Sequence, residues 1–137
     1  MGPKSLLFVL IASAFIVLSS CNEINTTNTE EAFENWLGVK SGTEVEVLQA
    51  KYWQSAHFTK EYIVFLKIKP SDEWWLQFVE QNGLMLDTSQ WYVPSDKPDW
   101  FTPPNTSKVY GFGEGYNNSR YFQDSLSGVC YIYEIQL

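Results

Sequence analysis

The chain has 137 residues, 16 of them acidic and 9 basic, for a formal net charge of −7. That length bounds a single domain, and that charge excludes the two partner classes that need clustered Lys and Arg: nucleic acid and anionic lipid surfaces. Two cysteines and one histidine leave little material for a metal centre or thiol–imidazole chemistry, whereas Phe, Trp and Tyr, at 9, 6 and 8, are abundant.

The first element is an apolar run from Leu6 to Leu18, preceded by Lys4 and followed by Ser19, Ser20 and Cys21. A basic start, an apolar middle and small residues before a polar stretch predict a cleaved signal peptide. The run is too short for a permanent span, which needs roughly 17–25 apolar residues. The stretch "LSSC", Leu18 to Cys21, resembles the lipobox of bacterial lipoproteins: an aliphatic residue, two small residues, then cysteine. The resemblance covers residues 1–21. It implies that Cys21 takes a diacylglycerol on its sulfur, that residues 1–20 are removed, and that the new N-terminus is acylated. It also implies a protein held at a cell membrane or outer membrane with its domain outside the cytoplasm. Asn22, where aspartate would favour inner-membrane retention, leans toward the outer membrane. The alternative is an ordinary cleaved signal with a chance cysteine.

Residues 21–29 are polar and aperiodic and read as a tether, with a coil span of about 15 Å for eight residues. Residues 30–137 then form one domain. Cys130 is the cysteine left after Cys21, so no internal disulfide is expected and the fold must rest on packing. A chain of this size buries roughly 65% of its unfolded surface, enough for a core.

"TEEAFENWLG" predicts a short helix over Glu30 to Leu37, with Thr29 as cap, Phe33, Trp36 and Leu37 as its apolar stripe, and Gly38 as stop. "TEVEVLQAKYWQ" alternates but changes parity, which predicts a strand with a bulge near Val47–Leu48. "EYIVFLKIK", Glu61 to Lys69, is apolar on both faces and predicts a central strand covered on both sides. "PSDEWWLQFVEQNG" predicts a second helix, capped by Ser71, with Trp75, Phe78 and Val79 inward. Leu84 to Thr106 holds four of the 6 prolines and predicts a long loop. "SKVYGF", "RYFQD" and "GVCYIYEIQ" predict an antiparallel meander. The expected class is α+β: an antiparallel sheet of about five strands with two short helices on one face.

The layout of residues 30–137 resembles small uncharacterised bacterial envelope and immunity-type proteins. The carrying residues are Pro98, Trp100, Phe101 and Pro103 in the loop, and Tyr131, Ile132 and Tyr133 in the last strand. The resemblance brings no catalytic residues with it.

No catalytic motif stands out. His57 lacks converging partners and reads as a hairpin surface residue. Cys130 sits mid-strand, where a thiol more often packs than reacts. Asp96 and Asp99 have the makings of a carboxylate pair, but two acids on a proline-rich turn are usually turn formers. "GFGEG" lies between strands and not before a helix, so it reads as a hairpin turn and not a phosphate loop. The remaining candidate is "WYVPSDKPDWF". Trp91, Tyr92, Trp100 and Phe101, with Asp96 and Asp99, form either an exposed binding ridge or the cover for Ile63 and Phe65. Cover is the commoner fate of large apolar groups. The functional expectation is a non-enzymatic lipid-anchored protein, without metal or cofactor, that binds another protein, a basic one being compatible with its charge, in an immunity- or inhibitor-type role. A glycan-binding or envelope-maintenance module is the alternative.

Overall fold

The computed structural model describes residues 22–113 and 117–137. Seven strands form one antiparallel sheet: β1 (Ile24–Thr26), β2 (Val45–Gln54), β3 (Tyr62–Pro70), β4 (Met85–Leu86), β5 (Lys108–Gly111), β6 (Arg120–Gln123) and β7 (Cys130–Gln136). Their spatial order is β1-β2-β3-β7-β6-β5-β4. Among the described residues there are two helices, α1 (Thr29–Leu37) and α2 (Asp72–Gln81).

The expectation of about five strands is corrected to seven, and strand outweighs helix. The two extra strands are the shortest. β1 lies inside the stretch expected to be a tether, and β4 lies inside the stretch expected to be loop. Three residues and two residues are too few to display a period of two. Both exist because a longer neighbour supplies the hydrogen-bonding edge: β1 pairs with the end of β2 and β4 with β5. The indole N–H of Trp53 also donates to the Glu23 carboxylate at 2.8 Å, just before β1.

The longer elements follow from local rules. The α1 cap is Asn28, one residue earlier than expected; its side chain accepts from the Glu31 N–H. Glu30 and Glu31 lie in the first turn, where the helix dipole favours acids. Gly38 ends the helix in the left-handed region, φ 76°, where a side chain would be strained. Ser71 caps α2 by accepting from the Trp74 N–H. β2 changes register on β3 between Val47 and Gln49, so Leu48 is the bulge that the parity shift requires.

β3 is central, between β2 and β7. On one face Val64, Leu66 and Ile68 meet Ala50, Tyr52, Cys130 and Ile132, and both helices lay Phe33, Trp36, Trp75 and Phe78 over them. The other face carries Phe65, Phe122, Tyr131 and Tyr133, with Ile63 and Val109 at its margin. No helix of the described residues packs there. Part of the loop between β4 and β5 covers it.

Candidate functional site

The loop of residues 87–107 is anchored at its start by a buried polar cluster. Asp87 and Arg120 are both buried. The Arg120 guanidinium lies 3.5 Å from Asp87 Oδ2 and donates to Ser89 Oγ at 2.9 Å and the Ser119 carbonyl at 2.8 Å. Asp87 accepts from the hydroxyl and the backbone N–H of Ser89. The hydroxyl bond, more than the nearby guanidinium, holds the Asp87 carboxyl below the usual carboxylate range. Gly111 makes room for this pair: a Cβ there would sit 2.6 Å from Asp87 Oδ2.

Further along, side chains grip the loop's backbone. The Trp91 indole N–H donates to the Asn118 carbonyl at 3.1 Å, and the Asn118 amide donates to the Tyr92 carbonyl at 2.7 Å. Lys51 Nζ, on β2, donates to the Asp96 carbonyl at 2.9 Å, and Lys97 Nζ to the Phe101 carbonyl at 2.9 Å. These contacts order a segment whose prolines cannot supply backbone donors.

The structure separates the sequence-predicted residues into two groups. Phe101 is fully buried and half-buried Trp91 packs beside it, so both are cover. Phe101 meets Phe65 edge-on at 5.3 Å and Tyr131 at 5.5 Å; Trp91 meets Phe122 at 5.2 Å. Trp100 is half-buried against Phe101 at 6.0 Å. Tyr92, Asp96 and Asp99 are exposed. The ridge expected to hold four aromatics therefore presents Tyr92, 69% exposed, together with a residue the sequence reading did not single out, Val93, 59% exposed. The missed signal was position: Val93 follows Tyr92 directly and precedes a proline.

Between Val93 and the β5 and β6 residues Val109 and Phe122 lies an open groove of about 480 Å³, lined also by Trp91, Phe101, Pro103 and Pro104. Ser107 also lines it, and its Oγ is buried without a hydrogen-bond partner among the described residues.

A second polar cluster lies on the helix face. The hydroxyls of Tyr62 and Tyr121 both donate to the Glu134 carboxylate, the latter at 2.6 Å. Burial first, then the negative charge of Glu134, raises the Tyr52 phenol to about 12. Burial also pushes Tyr62 and Tyr121 upward. A cavity of about 340 Å³ opens beside Tyr62 and Glu134. With a phenol on each oxygen, Glu134 is an acceptor already in use, which suits a brace better than a proton carrier. The signal for it was an acid at an inward position of β7, in step with Cys130 and Ile132.

His57 is exposed on the β2–β3 hairpin, 3.5 Å from Glu61. Cys130 is a buried free thiol, pushed up to about 12 chiefly by burial. Among the described residues no group of three or more His, Cys, Asp or Glu converges as a metal site, and no helix is long and apolar enough to cross a membrane. The expected lipid attachment at Cys21 and part of "GFGEG" lie outside the described residues.

Fold and site together define the class of this protein as a seven-stranded antiparallel sheet, helical on one face and loop-covered on the other, with an open groove in the loop. No protein-family model, curated protein or solved structure matches the chain.

Proposed function

We propose that this is a lipid-anchored envelope protein whose loop of residues 87–107 binds another protein, in an inhibitor- or immunity-type role. The groove carries the reading. Its floor is held by ring contacts and by lysine-to-carbonyl bonds, so little ordering cost falls on binding. Val93 lines the groove, its neighbour Tyr92 is exposed, and the same loop carries Asp96 and Asp99 as exposed charges, the composition of a binding patch with a polar edge.

Immobilised wild-type protein and the variants Tyr92→Ala and Val93→Asp, exposed to an envelope extract from the source cells, provide the test. Both substitutions should leave stability within about 0.5 kcal/mol, as surface changes do, and should release a protein that the wild type retains. Affinity for that protein should fall at least tenfold, which is about 1.4 kcal/mol. Equal retention by all three proteins overturns the reading. Retention of glycan alone moves the assignment to a carbohydrate-binding module.

A further inference from the structure

The direction of β1 fixes which end of the sheet lies nearest the proposed anchor. β1 runs antiparallel to β2, with Ile24 opposite Gln54 and Thr26 opposite Tyr52. Traced backward from Thr26, the chain heads toward the β2–β3 hairpin. Cys21 lies three residues before Ile24, within about 11 Å of it by covalent reach. Only Asn22 and Glu23 intervene, and Glu23 is held by the Trp53 indole. So short and constrained a link cannot serve as a long swivelling tether.

The hairpin at that end is ordered. Its neck is closed by the Ser55 N–H donating to the Glu61 carbonyl at 2.9 Å, and Lys60 Nζ reaches back to the Asn35 carbonyl at 3.1 Å. At its tip stands Phe58, 91% exposed. Phe58 is four residues beyond Gln54, so it too lies within about 14 Å of the Ile24–Gln54 pair. An apolar ring held out on a closed hairpin, beside the entry of a lipidated chain, has a nearby apolar phase to enter.

We infer that the β2–β3 hairpin is a second membrane contact: Phe58 inserts at the lipid interface beside the acyl chains on Cys21 and holds the domain with this sheet end down. The occupant is the bilayer that carries the anchor. Glu23 and Glu61 stand at this end beside His57 and Lys60, so insertion requires no anionic headgroup. The β6–β7 turn, with Leu126 92% exposed at its tip, lies at the opposite end and points away from the membrane. The groove on the loop face is then open sideways to a partner.

This inference rests on the lipid-anchor reading, and the experiment separates the two. The full chain is purified with its lipid, its intact mass is measured, and it is placed in neutral phosphatidylcholine vesicles. Thr59→Cys, which retains Phe58, and Leu126→Cys are each labelled with a nitrobenzoxadiazole fluorophore; buried Cys130 stays unlabelled in the folded protein. Dithionite added outside should bleach the label at 59 at least about threefold more slowly than at 126, because lipid shields it. Adding Phe58→Ser should bring the rate at 59 up toward that at 126. Lipidated protein with equal rates at both positions overturns the hairpin contact alone. A mass without the diacyl modification overturns the anchor and this inference together.

Discussion

The two faces of the sheet are covered by different kinds of backbone. On one face α1 and α2 satisfy their own hydrogen bonds internally and are free to offer Phe33, Trp36, Trp75 and Phe78 to the sheet. On the other, a proline-rich segment has no ladder of its own and is ordered by side chains that reach its carbonyls, Lys51, Lys97 and Asn118, and by its own Trp91 indole, which donates to the Asn118 carbonyl. The helical face leaves its cavity at the strand ends, beside Tyr62 and Glu134, whereas the loop face leaves a groove within the cover itself. The difference teaches that an irregular cover can seal a core at its centre, at Phe101, and still keep an accessible edge, at Tyr92 and Val93.

The sharpest way to break this comparison is to remove the central ring from each cover. Trp75→Ala and Phe101→Ala should each cost about 3–5 kcal/mol, since both side chains are fully buried and leave large cavities. Urea unfolding followed by circular dichroism measures both. If the loop were a detachable lid, Phe101→Ala would lose under about 1 kcal/mol while Trp75→Ala lost its full share.

Next in size is the anchor at the loop's start. Asp87→Ala leaves the buried Arg120 without its carboxylate and should cost about 3 kcal/mol. The same group gives a pH dependence. The folded carboxyl lies below its ordinary value, so its stabilisation is present above the unfolded value of about 3.9 and is lost as pH falls through the folded one. The decline in urea midpoint below about pH 4 should be shallower in Asp87→Asn than in the wild type. Parallel declines would show that this pair does not hold the loop.

A smaller effect sharpens the same point. Gly111→Ala places a methyl 2.6 Å from Asp87 Oδ2, where the carboxylate is gripped by Ser89 and Arg120. Overpacking should cost about 1–3 kcal/mol. If Asp87→Ala is introduced first, the clash has no partner and the extra cost should shrink, a non-additivity that melting curves of the double variant would show. Additive losses would mean that Gly111 is required for some other reason.

Much of the fold was legible wherever an element was long enough to repeat its pattern. The two helices, the bulge in β2, the two-sided burial of β3 and the terminal meander all follow from spacing within ten residues or fewer. β1 and β4 were not legible, since a strand of two or three residues is specified by the edge it joins. Cys130 and Ile132 announced the inward face of β7, and Glu134, half-buried, was readable as an acid on that face, though its phenol partners Tyr62 and Tyr121 come from β3 and β6. In the loop, aromatic content marked the right segment but not which ring turns inward. Trp91, Tyr92, Trp100 and Phe101 have similar local surroundings in the chain, and their opposite fates depend on the position of Phe65 and Tyr131 across the sheet.

By itself, then, the sequence determined the periodic elements, the Ser71 cap of α2, the Gly38 stop of α1 and the acidic charge, because each can be read along the chain without its fold. Tertiary structure alone decided that residues 24–26 close the sheet edge instead of swinging free, that Arg120 meets Asp87, and that Phe101 is buried while Val93 is left at the rim of a groove. Those outcomes depend on which surfaces meet across the sheet, and burial is settled by the partner surface, not by the residue that is buried.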